Sequence, residues 1–358
     1  MPFYPDQRHL LEATTIRRER HLPEFTAGKV TVAQNVSVNI REIVARGSIA
    51  SAYHIIEAGQ SVRLKKNEDI SEFLLIDLNQ IVDAGTPLAA RPKQRKPLLA
   101  PIRGKVVYAS GSRIIMQETS EEIQLEAGVE GKVIAVQTGR GVTLETYGTL
   151  VQGVWGNGTL VIGQLKMEPE VGLDHIFGDA LSMKYRGTIV VTRRALKETG
   201  LVTMVEQGII GVIAPSMDAA LIPQVQAHTS AVMLTEGFGD IAMSALTFNL
   251  LTKFADRPTT LDAYTPSRWE SRRPEAIVNP SSRAGEKTAA PKINLALKVG
   301  MQVRLTRLPH AGKVGTVINL PKSPTLLDNG LRVLCAQIEL VSGERVMIPL
   351  ANLESFGQ

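Results

Sequence analysis

The stretch IRGKVVYASGSRIIMQE (Ile102–Glu118) carries the plainest structural statement in the chain. Two β-prone runs flank a Gly-Ser turn, which reads as strand, tight turn, strand. Its Gly-Lys-Val opening recurs at Gly28, Gly131 and Gly312, each time leading into an apolar, β-prone run. A glycine at a strand entry accepts positive φ, valine favours the pleated half-buried surface, and lysine points to solvent. On that reading the repeated tripeptide starts a strand and does no chemistry.

Working outward, β runs broken by turns extend from Leu22 to Gly163. KVTVAQNVSV (Lys29–Val38) alternates apolar and polar residues, and Asn157-Gly158 marks a hairpin. RPKQRKP (Arg91–Pro97) interrupts them as a basic, Pro-flanked loop. After Pro169 the character changes. GTIVVTRR, IIGVIAPS and SAVMLTEGFGD read as buried strands, alternating with helical text at ALKETGLVTMVEQG, MDAALIPQVQA and IAMSALTFNLLTKFA. Such alternation predicts a small parallel α/β layer. RRPEAIVNP adds an edge strand, NPSSRAGEKTAAPK reads as a linker, and a last β module follows. The expected order is a tail at 1–21, a β region at 22–168, an α/β domain at 169–278, a linker at 279–292 and a closing module at 293–358. The fold class is multidomain and mainly β, with one α/β domain.

A chain of 358 residues exceeds one ordinary core, which agrees with two or three domains. Aromatics make up only 4%, against a protein that stacks bases or sugars on exposed rings. Forty basic against thirty-five acidic residues permit nucleic-acid contact without demanding it. The single cysteine, Cys335, excludes an internal disulfide and a cysteine-based zinc site, and it reads as a small buried side chain. The six histidines form no His-x-x-x-His pair, so no metal site is expected. With neither a signal-peptide core nor an apolar run of membrane-spanning length, the expected location is cytoplasmic, with no membrane span.

Val82, Gly85, Leu88, Ala100, Pro101, Gly104 and Val106 form a V-x-x-G-x-x-L … A-P-x-x-G-x-V pattern. It resembles the barrel-sandwich hybrid of biotinyl and lipoyl-like domains, and the segments around Gly28 and Gly131 resemble further halves. The tandem arrangement over roughly 22–163 also resembles the N-terminal parts of the sodium-pumping quinone reductase A subunit and the Rnf complex C subunit. Asn35 and Asn79 stand where the family writes Gly-Asp, and Asn tolerates left-handed φ. A carrier member needs a lysine in Ala-Met-Lys-Met on a hairpin tip. The nearest text is Gln164-Leu165-Lys166-Met167, with no second half-motif after it, so Lys166 reads as a charged residue at a domain boundary. No cofactor is implied.

Gly300, Val303, Arg304, Gly312, Lys313, Val314, Gly315 and Val317 resemble the KOW motif of SH3-like barrels in ribosomal and NusG-type transcription-elongation proteins. The resemblance implies a barrel that binds RNA, DNA or protein. Arg304, Arg307, Lys313, Lys322 and Arg332 are the candidate contacts for nucleic acid or a partner. In LTEGFGDIAM, a helix start beside Gly237 and Gly239 is a candidate anion site, and Glu236 and Asp240 are candidate acid-base groups without a nucleophile. Arg272 and Arg273 are further hypothetical anion ligands. No catalytic residue is assigned. The expected function is a non-enzymatic adaptor or scaffold subunit with protein partners. A nucleic-acid-associated factor acting through the last module, and an accessory protein to a cofactor-dependent enzyme, are the alternatives.

Overall fold

The computed structural model describes residues 2–23, 26–49, 52–92, 96–118, 122–170, 172–173, 184–279, 292 and 295–357. The expected linker 279–292 lies outside the described residues except at its two ends, and so does the centre of the basic loop, 93–95. The chain is mainly β, 46% strand against 12% helix, and its strands are distributed over several sheets. Among the described residues no helix is long and apolar enough to cross a membrane.

The chain divides into two compact units. One comprises Arg18–Ala127 and Lys132–Leu144; the other comprises Met1–Arg17, Gly128–Gly131 and Glu145–Gln358. The segment after Leu144 therefore groups with the later text rather than with the preceding β region.

The first unit contains a four-stranded antiparallel sheet in the order Tyr53–Glu57, Arg113–Glu118, Gly104–Ser110, Ile81–Val82. Gly104–Ser110 and Arg113–Glu118 are the hairpin read in the opening stretch, with Gly111 at a φ of 61° in its turn. A three-stranded sheet joins Glu122–Glu126, Ile43–Ile49 and Thr26–Val30. Val82, Leu88, Val106, Ile114 and Met116 fill a core with Val62 and Ile70 of short helical turns. Asn35 and Asn79 take φ of 69° and 67°, and their amides donate to the carbonyls of Val133 (2.7 Å) and Val106 (2.8 Å).

The repeated Gly-Lys-Val has a different physical cause from the one expected. Only Gly312 has a left-handed φ, 83°. A Cβ on Gly104 would run into the Gln117 carbonyl oxygen, and one on Gly131 into that of Glu145. In those copies the glycine is there because a neighbouring strand passes too close for any side chain.

In the second unit, four parallel strands lie side by side in chain order: Leu160–Met167, Thr188–Val191, Gly211–Met217 and Ala231–Phe238. In the last three, runs of Val, Ile and Met are buried on both faces, as parallel strands require, while Leu160–Met167 is mostly half-buried. Leu201 and Met204 of helix Glu198–Glu206 and Val225 of helix Ile222–Gln226 pack with Val190, Val212 and Val232. Leu251 of helix Ala245–Lys253 packs with Ile189, Val191, Ile213 and Met233, residues alternating with the first set and so on the opposite face. The sheet continues from Leu160–Met167 through Pro258–Asp262 and Glu275–Val278 to Gly141–Gln152 and Asp6–His21. Glu275–Val278, expected at an edge, is paired on both sides.

Residues 1–21, read as a tail from their charge, contain the sixteen-residue strand Asp6–His21. Its charges do not bar it from the sheet, because Thr14 and Ile16 turn inward and Arg8 finds counter-charges. This strand runs parallel to Leu353–Gly357, with Asp6 opposite Glu354. From there an antiparallel series, Gln302–Leu305, Val314–Asn319, Cys335–Leu340 and Arg345–Pro349, completes the path. Val303, Leu305, Val317, Ile338, Leu340 and Leu353 form its core.

Candidate functional site

The carboxyl ends of parallel strands are where open α/β sheets usually place ligands, because helix N-termini and loops converge there. In this chain that edge carries Glu168, Thr192, Asp218 and Glu236, at or just beyond the strand ends. Gly237 and Gly239 follow Glu236 with φ of 120° and 111°, and the Gly239 amide donates to the Met217 carbonyl at 2.9 Å.

The expected helix start beside these glycines is displaced. The helix begins at Ala245, with Ser244 as its N-cap accepting the Thr247 amide at 3.3 Å. Its Ser244 amide donates to Glu236 Oε1 at 3.2 Å. The negative charge that a helix N-terminus attracts is thus supplied by the chain's own Glu236.

Glu236 is buried, and its other oxygen, Oε2, accepts Arg304 Nε at 2.5 Å. Arg304 Nη2 donates to the Glu236 carbonyl at 2.6 Å, and Nη1 reaches Glu354 Oε2 at 3.4 Å. Arg273 Nη1 holds Glu354 Oε1 at 3.0 Å. Arg8, fully buried, donates to the Thr235 carbonyl and lies 3.4 Å from Glu354 and 3.9 Å from Glu236. Its ring of contacts closes on the face of Phe356, 5.4 Å from the guanidinium carbon. Arg8 Nε and Nη2 make no hydrogen bond, so their charge is balanced at ion-pair range alone. Burial pushes the Arg8 guanidinium below its ordinary pKa, while Glu354 and Glu236 act in the opposite sense.

This cluster takes Arg304 out of the five candidate contacts for nucleic acid or a partner. Its side chain is 4% exposed, and both guanidinium edges are engaged. Arg307, Lys313, Lys322 and Arg332 are exposed. Among them, Lys313 Nζ lies 3.4 Å from His310 Nδ1. Arg272 pairs with Asp262 at 2.6 Å.

Lys166 sits within Leu160–Met167, opposite Val190, rather than on a hairpin tip. It is ion-paired with Asp256, whose carboxyl it holds below the usual range through that hydrogen bond. A small cavity of about 110 Å³ lies beside Thr192, Arg193, Arg194 and Lys197. Glu168 on its wall is already engaged by the amides of Arg193 (2.7 Å) and Leu173 (3.3 Å). Cys335 is buried, which raises its thiol pKa. Among the described residues, no three His, Cys, Asp or Glu side chains gather as a metal site.

Arg8 and Glu354 were not legible as a pair, since nearly the whole chain separates them. The anion that Arg273 holds is the chain's own Glu354. The one available signal was the β-prone ATTI run inside the charged first segment. No protein-family model matches the chain, and no curated protein matches it by sequence.

Proposed function

We propose that the chain is a non-enzymatic adaptor or scaffold subunit of a larger assembly. The observation that carries this reading is the state of Glu236. It is the buried carboxylate at the edge where a catalytic group of an α/β layer belongs, and its oxygens are committed to a helix amide and to Arg304. Such a group, buried and with both oxygens held by the chain's own donors, organises structure rather than facing a substrate.

The finer fold assignments belong to the same reading. The left-handed Asn35 and Asn79 and the Gly104 hairpin support a lipoyl-like barrel-sandwich hybrid in the first unit. Four parallel strands with helices on both faces support a small α/β layer. The five antiparallel strands around Val303, Val317 and Leu353 support an SH3-like barrel of KOW type. The lipoyl-like and SH3-like modules are binding and spacing units, which suits an adaptor.

The test is native purification with cross-linking and mass spectrometry. Stoichiometric protein partners and an unmodified Lys166 are expected. A chain that migrates as a free monomer in native extract overturns the reading. So does RNA or DNA binding that falls steeply with salt and is lost in Arg307→Glu and Lys313→Glu, which would assign the nucleic-acid role instead.

A further inference from the structure

The outward face of the four-stranded sheet in the first unit is unusually apolar. Its inner face supplies Ile56, Val82, Val106, Ile114 and Met116 to the core. Strand alternation sends their neighbours outward. One row across the strands reads Ile55, Ile115, Tyr108; the next reads Tyr53, Gln117, Lys105, Ile81. Tyr53, Ile55, Ile81 and Tyr108 are 63%, 65%, 57% and 51% exposed. Contiguous apolar patches of this kind mark interaction surfaces.

Charge narrows the occupant. Arg113 at one end of the face is held by Glu57 at 2.6 Å, and Arg103 nearby by Asp83 at 3.3 Å. Lys105 lies inside the patch, between Ile81 and Gln117, and has no hydrogen-bond or ion-pair partner among the described residues. A second copy docking by the same face would bring another unpaired Lys105 and a Glu57 already engaged by Arg113. Area points the same way. Four half-exposed side chains offer roughly 400 Å², about half the contribution of each partner to a stable protein–protein interface. That amount suits one helix, the element that ordinarily covers an open sheet face.

Resting on the adaptor reading, we infer that this face docks an amphipathic helix of a protein partner, with its apolar stripe over Ile55, Tyr108 and Ile81 and a carboxylate over Lys105. The probe is a set of fluorescent stapled helical peptides with apolar residues at i, i+3, i+4 and i+7 and a Glu, Gln or Lys within the stripe. Binding to the full chain is read by anisotropy. The Glu peptide is expected to bind at least about tenfold tighter than the Lys peptide, with Lys105→Glu inverting that order. Ile55→Asp and Tyr108→Asp remove binding of every peptide. These side chains are exposed, so the variants are expected to keep the wild-type circular dichroism and melting curve, and Ile55→Ser serves as a milder probe.

Equal affinity for the Glu and Lys peptides, or a preference unmoved by Lys105→Glu, overturns the inference. So does concentration-dependent dimerisation of the free chain that Ile55→Asp abolishes, because the occupant would then be a second copy. Partner cross-links that persist in Ile55→Asp remove this face while leaving the adaptor reading intact.

Discussion

At the scale of single residues, two cases show how local geometry sets tolerance. The missing Cβ of Gly104 makes room for the Gln117 carbonyl, which is backbone and cannot rotate away. Gly104→Ala is expected to cost about 1–3 kcal/mol, measured by urea unfolding, as other overpacking changes do. Gly111→Asn, in the turn of the same hairpin, has open space around it and an αL conformation that Asn accepts; it should be nearly neutral. Asp69 makes the second case. Its carboxylate accepts the amides of Gly111 (2.7 Å) and Ser71 (2.9 Å) and the hydroxyls of Ser71 and Ser110, which holds its pKa far below the ordinary 3.8. A depressed folded pKa stabilises the protein above the unfolded value and loses that contribution as pH falls through the folded one. Asp69→Asn should therefore be less stable at neutral pH and lose less stability on acidification below about pH 4, as read from thermal melts across pH. The recurrence of Gly-Lys-Val was visible in the sequence. Its cause was not, since a close approach between strands depends on the register of a partner that the tripeptide does not contain.

At the scale of elements, the buried charges decide which strands belong together. Arg304 lies on Gln302–Leu305, Glu354 on Leu353–Gly357, Glu236 on Ala231–Phe238 and Arg8 on Asp6–His21. Removing one member leaves an uncompensated charge in the interior, so Arg304→Ala should destabilise by roughly 3–5 kcal/mol. Lys313→Ala, on an exposed turn immediately before Val314–Asn319, should change stability by less than about 0.5 kcal/mol. Chemical denaturation of the two variants side by side measures the difference. Hydrophobic periodicity announced the parallel strands Thr188–Val191, Gly211–Met217 and Ala231–Phe238 because their apolar runs are local. Asp6–His21 escaped the same reading because its inward positions include Arg8 and Thr14, polar residues that only distant partners make compatible with burial. The candidate site was legible to the same degree. Arg304 and Glu236 were singled out as charged residues, but their mutual contact spans 68 positions of sequence, and charge alone does not distinguish a buried pair from a solvated face.

At the scale of the whole molecule, the hydrogen-bonded path of the second unit makes remote segments answer for one another. A chain cut after Asn352 loses Leu353–Gly357, and with it the carboxylate that Arg8 and Arg273 share. Hydrogen exchange on that truncation should show protection falling in Ala231–Phe238 as well as in Gln302–Leu305, by roughly 3–5 kcal/mol in opening free energy. Undisturbed protection in Ala231–Phe238 would mean that the charge cluster does not couple these strands. The pairing of Asp6 with Glu354 also sets a timetable. Ser355 contacts a residue 349 positions earlier, and at ribosomal speeds of about 5–20 residues per second that gap is on the order of tens of seconds. Until Leu353–Gly357 is made, Asp6–His21 waits with at least one edge open and Arg8 without Glu354. Leu353–Gly357 is the strand that joins Asp6–His21 to Gln302–Leu305, so the newborn chain carries an unpaired, aggregation-prone edge until that strand appears, and a ribosome stalled before it would prolong that exposure.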